Sequence, residues 1–382
     1  MIKTETTAII LAAGYSSRMG EFKPLLRLGN ATVLERVISM FQEAGINDTK
    51  VVVGFRSAEL LALLKKLGIQ PTINDRFEEG MFSSILAGVN TIEADRKAFF
   101  LMPVDIPLVR YQTVVELMRR FQESRREILY PCFKRERGHP PLISTRLIPG
   151  IKSHHGIGGL RSFLDQHEEI ADDIAVVDEA ILYDMDKPAD YQKILKRYER
   201  YDIPVADECM ALLTDRFMID KRLLDHCKRV ANLAVILGKT LNEAGFSFDL
   251  DALFAAGLLH DVARNQQDHA EVGKRMLQEI GYVKVGDIVG EHMDISFKDD
   301  EPLNEKELLY LADKLVMGDK ITDLNKRFQQ KAHMCTGDAV AMEAIHTRLN
   351  NALKIRDKVE ESVGKSLETI LSEIMTQVPE AC

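Results

Sequence analysis

Leu11-Ala12-Ala13-Gly14-Tyr15-Ser16-Ser17-Arg18-Met19-Gly20-Glu21-Phe22-Lys23 continues an apolar run that begins at Thr7. The run over residues 7–12 reads as a buried strand, and residues 13–23 read as a loop able to wrap a phosphate chain. Gly14 and Gly20 allow close approach of the backbone to a ligand, the small Ala12 and Ala13 leave room for a base, and Arg18 and Lys23 bring positive charge. The spacing is neither the G-x-G-x-x-G of dinucleotide folds nor a P-loop, so nucleoside triphosphate chemistry in another nucleotide fold is expected.

Outward from this loop, helical periodicity over residues 32–43, 58–67 and 112–123 alternates with strand-like runs at 50–54, 71–74, 98–102, 128–131 and 174–177. That rhythm predicts an α/β domain with a Rossmann-like, mostly parallel sheet covered by helices. From about Glu208 the strand signals fade, and apolar residues recur at helical spacing through Leu223, Val230, Leu233 and Leu237. An all-α second domain is expected, ending in one or two amphipathic helices over 338–374. The charged stretch 196–207 holds the helix-breaking Pro204, which puts the domains at 1–203 and 204–382.

Two domains suit a chain of 382 residues. Fifty Lys and Arg against 59 Asp and Glu give a net charge of −9, which disfavours nucleic acid and anionic membrane surfaces as partners. No apolar run approaches the ~20 residues of a membrane span, and a cytoplasmic protein is expected. Cys132, Cys209, Cys227, Cys335 and Cys382 are scattered without metal-ligand spacing and read as free thiols.

The helical half carries a second signal: His226, the doublet His260-Asp261, His269, His292 and Asp313, each beside an apolar helical pattern. Imidazoles and carboxylates suit iron, manganese or zinc, and helices can project such ligands into one dry pocket. Asp268 and Glu271 have capping-box spacing, so Asp268 is expected to cap a helix starting at His269. Arg264, three residues from Asp261, reads first as a solvated helix terminus, with contact to a substrate phosphate as the alternative. Ser83 and Ser84 have a structural reading as a helix N-cap, and Gly138-His139-Pro140 reads as a tight turn before an extended segment at 141–144.

The N-terminal segment resembles the MobA-like nucleotidyltransferases of the molybdenum cofactor type, whose hallmark is L-A-A/G-G-x-S-x-R-M-G with a lysine three residues on. The resemblance continues through Asn74, Gly80-Met-Phe-Ser83-Ser84, Asp105, Gly138-His-Pro140, Gly158-Gly-Leu-Arg161 and Asp184-Met-Asp186-Lys187-Pro188, over roughly residues 5–195. It implies nucleotide binding by Leu11, Ala12, Ala13, Gly14, Ser16, Arg18, Lys23, Asn74, Ser83 and Ser84. It also implies Mg²⁺ held by Asp105 and, of the two acids in the later segment, Asp184, with Lys187 standing where the family has threonine. The Ala13 and Gly-Met-x-Ser-Ser features are similar to the branch that uses CTP, which implies CMP transfer to a phosphorylated acceptor, molybdopterin, and a molybdoenzyme maturation partner. A sugar or polyol phosphate is the alternative acceptor.

Leu258-Leu-His260-Asp261 with His226 and Asp313 resembles the HD metal-dependent phosphohydrolases over about residues 220–325. The additional His269 and His292 resemble the two-metal subgroup, which implies iron or manganese bridged by Asp261 and hydroxide attack on phosphorus. The alternative is a sensor that binds a nucleotide without cleaving it.

Overall fold

A computed structural model describes residues 5–335 and 337–375, so Cys382 lies outside the described residues. The chain divides into two compact units between Arg200 and Tyr201, three residues ahead of the boundary that Pro204 suggests.

The first unit is built on an eight-stranded sheet. Its strands are β1 (Thr6–Ala12), β2 (Thr49–Val53), β3 (Pro71–Ile73), β4 (Ala98–Pro103), β5 (Ile128–Phe133), β6 (Glu136–Arg137), β7 (Leu142–Ser144) and β8 (Ala171–Ala175). The order is β8-β5-β7-β4-β1-β2-β3, with β6 pairing β5. Pairs β1/β2, β1/β4, β2/β3 and β5/β8 are parallel, whereas β7 runs antiparallel to both neighbours. The last strand is Ala171–Ala175, three residues before the expected run, because Ala171 and Ile174 are the buried positions.

Residues 8–12 of β1 and 98–102 of β4 are at most 8% exposed, the continuous apolar pattern of strands covered on both faces. One covering helix, α1 (Val33–Glu43), starts at a capping box: Thr32 N–H donates to Glu35 and Glu35 N–H donates back to the Thr32 hydroxyl. Another, α3 after α2 (Ser57–Leu67), is Met81–Val89, where a Cβ on Gly88 would come within 2.6 Å of Ile9. Glycine thus lets α3 lie directly on the central strand. Register pairs Leu11 with Pro103 and Ala12 with Val53, so the loops after β1 and β4 leave the sheet at one edge, where ligands bind in open α/β sheets.

The second unit is helical. Its main helices are α4 (Lys221–Glu243), α5 (Leu250–Leu259), α6 (His269–Glu279), α7 (Val283–Val289), α8 (Glu305–Lys314), α9 (Leu324–Met334), α10 (Ala339–Val363) and α11 (Leu367–Met375). Helices α4 and α5 pack so closely that a Cβ on Gly257 would lie 2.4 Å from Ala231 Cα. This contact fixes the end of α5, where His260 and Asp261 follow. No helix among the described residues is long and apolar enough to cross a membrane.

At the sheet edge opposite the loop, Asp48 ties three strands together. It accepts from the Thr7 hydroxyl at 2.6 Å and Arg96 Nε at 2.8 Å, and its other oxygen lies 2.8 Å from Lys50 Nζ. Burial alone would raise its pKa, but hydrogen bonds from Lys50, Thr7 and Arg96 outweigh burial and lower it. With a folded pKa below the unfolded value near ~3.9, Asp48 stabilises the fold at all pH above that value. The contribution fades as pH falls through the lower folded pKa. Asp48→Asn is expected to lower unfolding free energy at pH 7 by about 1–3 kcal/mol, and the gap to wild type should shrink in urea titrations as pH approaches 3.

Candidate functional site

In the first unit the loop after β1 is pinned at both ends. Ser16 adopts a left-handed backbone (φ 57°), and its hydroxyl accepts the Lys23 N–H at 3.1 Å. Met19 and Phe22, each 5% exposed, anchor the loop in the core, and Gly20 supplies the positive φ between them. The result turns the Lys23 side chain inward. Its ammonium donates to Asp105 and to Asp186, both at 2.9 Å, and Arg18 lies 2.6 Å from the second Asp186 oxygen. Burial disfavours the charge on Lys23, but the two carboxylates overcome that and raise its pKa. The hydrogen bond from Lys23 lowers that of Asp186, against a smaller effect of burial.

A cleft of about 380 Å³ opens beside this cluster. Leu11, Ala12, Ala13, Gly14, Ser16, Lys23, Ser84 and Asp105 line it. Asn74 and Ser83 stand behind: the Asn74 amide donates to both serine hydroxyls at 2.9 Å, and the Ser83 hydroxyl donates to the Arg76 and Gly80 carbonyls. Gly80, not a serine, occupies the N-cap position of α3, so the capping reading of Ser83 and Ser84 does not hold. Arg18 reaches the cluster from outside with a 70% exposed side chain.

Asp184 is exposed, and Asp186 is the acid joined to Lys23. Two aspartates separated by one residue cannot be told apart by spacing. Sequence reading gave no role to Tyr15, within the β1 loop, or to Phe77, in a short 3₁₀ helix before α3, which line the cleft with ring centroids 5.4 Å apart. The Gly138-His139-Pro140 turn holds a His139 whose pKa is lowered by burial, against nearby Asp105 and the Leu101 backbone.

In the second unit His226, His260, Asp261, His269, His292 and Asp313 converge. Asp261 is their centre. Its Oδ2 lies 3.5 Å from His260 Nε2 and 3.9 Å from His226 Nε2, while its Oδ1 lies 3.4 Å from His269 Nε2 and 3.5 Å from His292 Nε2. Asp313 Oδ1 closes the first side, 3.4 Å from His226 Nε2. Five of the six residues thus form two triads that share Asp261, each with ligand atoms close enough for one ion, and Asp313 stands beside the first.

The outer nitrogens explain why the inner ones face inward. Nδ1 of His226, His260 and His292 each lies 2.8 Å from a backbone carbonyl, of Gly318, Gly257 and Val289 respectively. With the Nδ1 proton so engaged, the Nε2 lone pair points to the centre. Burial lowers the His260 pKa to about 4 despite Asp261 and Asp313, so its ring is neutral near pH 7. His260 Nε2 is buried without a hydrogen-bond partner, as expected of an atom shaped to bind a metal.

Burial would raise the Asp261 pKa, yet the imidazoles around it, His260 first and then His269 and His292, hold it well below the usual range. Burial is likewise outweighed at Asp313 by Lys314 and Arg327. Those two basic residues went unassigned from sequence; Lys314 Nζ donates to Asp313 at 2.8 Å and to the His292 carbonyl at 2.8 Å. Arg264 is 2.5 Å from Asp261 Oδ2. Helix α6 begins at His269 as expected, but Asp268 caps nothing with its side chain: its left-handed backbone (φ 51°) departs from the extended conformation of a side-chain N-cap.

Residues 8–170 match the MobA-like NTP transferase domain, and residues 223–318 match the HD domain. The chain joins these two families. The transferase segment is similar to an uncharacterized protein of Methanocaldococcus jannaschii, 24% identical over 36% of this chain and 93% of that one. It is also similar to the molybdenum cofactor cytidylyltransferase of Escherichia coli, 24% identical over 50% of this chain and 95% of that protein. Among solved structures, Rv0371c from Mycobacterium tuberculosis H37Rv is 24% identical with a TM-score of 0.47, covering 51% of this chain and all of that one. The transferase domain thus belongs to nucleotidyltransferases, and the HD domain to a family whose members bind metals.

The shared aspartate makes a specific demand on metal loading. Whole chain loaded with Mn²⁺ or Fe²⁺ should hold ~2 ions in the HD cluster. Asp261→Ala should lose both, His292→Ala should lose about one, and metal analysis checks each against far-ultraviolet circular dichroism for folding. Unchanged stoichiometry in Asp261→Ala would refute the shared-ligand geometry.

Proposed function

We propose that the transferase domain moves CMP from CTP to a phosphorylated acceptor, molybdopterin, releasing pyrophosphate, and that the HD domain is a metal-dependent phosphohydrolase. We take the compartment to be the cytoplasm and the ultimate recipient of the product to be a molybdoenzyme maturation partner. The observation that carries the transferase reading is the Lys23 ammonium held between Asp105 and Asp186 at the mouth of the Leu11–Gly14 cleft.

Two carboxylates already gathered around one cation fit a Mg²⁺ ion, and Asp105 with Asp186 would hold it. When bound, Mg²⁺ would supply neutralising charge at the phosphates. Arg18 and Lys23 would grip the triphosphate tail, and competition from its phosphates would draw Lys23 off the acids. An acceptor phosphate oxygen then bonds to the α-phosphorus while the bond to the β-phosphate oxygen breaks, and pyrophosphate departs against the same basic groups. Ala12, Ala13 and Ser84 border the space left for the base.

Support for CTP comes from relatives as well as from Ala13. Besides the molybdenum cofactor enzyme, the chain resembles a choline-phosphate cytidylyltransferase of Streptococcus pneumoniae, 31% identical over 104 residues, which are 45% of that protein. That relative also favours the second reading, in which the acceptor is another small phosphorylated molecule. For the HD domain, the neutral His260 with its unpartnered Nε2 and the shared Asp261 fit two Fe or Mn ions, whose chemistry would be Lewis-acid polarisation of a phosphate. Arg264 would neutralise the same phosphate. The complete ligand set favours hydrolysis over nucleotide sensing.

Pyrophosphate release tests the transferase reading across CTP, GTP, ATP and UTP with molybdopterin and with sugar or polyol phosphates as acceptors. CTP with molybdopterin should lead, and Lys23→Ala and Asp105→Ala should each lower kcat/KM by about 10²–10³-fold. Full CTP turnover in both variants would overturn the mechanism.

A further inference from the structure

His226 lies within α4, His260 closes α5 and His269 opens α6, whereas His292 lies past the end of α7, which stops at Val289. From His292 to the start of α8 the chain runs through residues 293–304, which are neither helix nor strand. A segment without a ladder has to satisfy its backbone polar groups elsewhere, and with few partners it opens at low free-energy cost. Its partners here come largely from α10, which lies beyond residues 223–318, the segment that matches the HD family.

Ile345, Ala352, Ile355 and Val359 form the buried stripe of α10. Arg348, Asn351 and Lys358 recur beside it at helical spacing, so one face of the helix meets the segment that follows His292. The Arg348 guanidinium donates through Nε and Nη2 to the two oxygens of Asp294, at 2.7 and 2.8 Å. The Asn351 amide donates to the Ile295 carbonyl at 3.1 Å, and Lys358 Nζ donates to the carbonyls of Asp299, at 3.1 Å, and Glu301. Farther along, Lys354 Nζ lies 3.0 Å from the Asp299 carboxylate. From the other side the buried Lys314 donates to the His292 carbonyl at 2.8 Å. Its ammonium lies 4.6 Å from the Tyr310 ring, and the Tyr310 hydroxyl donates to the Arg348 carbonyl at 2.9 Å. The head of the segment is thus fastened to both α8 and α10.

The Arg348 and Asp294 side chains are 28% and 68% exposed, and an ion pair that open adds little to global stability. Its two parallel hydrogen bonds act locally, restraining the chain two residues beyond His292. Opening of the segment would withdraw His292 from Asp261 and His269, and a site that is closed only part of the time binds its ion more weakly in proportion.

We propose that Arg348 is a positioning residue for the Asp261–His269–His292 triad. Through Asp294 it keeps His292 in place, so that a helix outside the matched HD residues decides whether the cluster retains its second ion. The inference rests on the two-ion reading of the HD domain.

Mn²⁺ titration of the full chain, followed by electron paramagnetic resonance in an Asp105→Ala background that removes the transferase site, reads both ions and the exchange coupling between them. The parent should take up a coupled pair. Arg348→Met should weaken the second ion about tenfold and leave the first within about twofold. Asp294→Asn should do the same, and the double variant should add no further loss, because both changes cut one link. Lys354→Met, which removes the bridge farther from His292, should bind both ions as the parent does. Equal weakening of both ions, unchanged affinity in Arg348→Met, additive losses in the double variant, or the same loss in Lys354→Met would overturn the proposal. If the parent takes up no second ion, the two-ion reading fails, and hydrogen exchange of the metal-free chain then decides the clamp. The His292 N–H, which donates to the Val289 carbonyl at 3.1 Å, should exchange about tenfold faster in Arg348→Met than in the parent; equal exchange overturns the proposal.

Discussion

A single ammonium group, largely removed from water and shared by two carboxylates, organises the transferase half. Lys23 lies 82 residues from Asp105 and 163 from Asp186. A lysine so placed would be costly without partners, and two acids brought close together would repel each other without a cation. Each charge therefore makes the others tolerable, and the sheet has to bring three distant chain segments to one edge. Parallel pairing of β1 with β4 does so for the Lys23 loop and Asp105. In the proposed reaction a phosphate chain that competes for Lys23 would free this pair of acids for a divalent cation.

In the HD half the organising group is a carboxylate. One buried carboxylate, Asp261, is surrounded by four imidazoles, and the backbone carbonyls behind three of them orient the rings. Close packing of α4 on α5 at Gly257 sets the floor of that arrangement, since the Gly257 carbonyl is also the partner of His260 Nδ1. Fold and site are here the same contact. The lining of the cavity beside this cluster, however, comes partly from segments on either side of the matched HD residues.

Much of this was legible in the sequence because the signals were local or strongly periodic. The β1 loop combined an apolar run, two glycines and two basic residues within thirteen positions, and the alternation of strand and helix patterns is the observed one for most elements of the first unit. The six residues that converge in the HD half were legible as candidates because histidines are few and each, with the two aspartates, sat beside an apolar helical pattern. Legibility ended where three-dimensional proximity carried the information. Asp184 and Asp186 are equivalent in one dimension, and only the folded chain joins Asp186 to Lys23. Asp268 had the right spacing for a cap, but its left-handed backbone overrides the pattern. Phe77, Lys314 and Arg327 take their places through packing that no motif encodes.

The Lys23 cluster is tested most directly by Mn²⁺ titration monitored by electron paramagnetic resonance, in an Asp261→Ala background that silences the HD centre. Without nucleotide, Lys23→Met should bind Mn²⁺ at least about tenfold more tightly than the chain with lysine in place, because the acids are no longer occupied by an internal cation. Equal or weaker affinity in the methionine variant would contradict the claim that Lys23 holds the position of the metal.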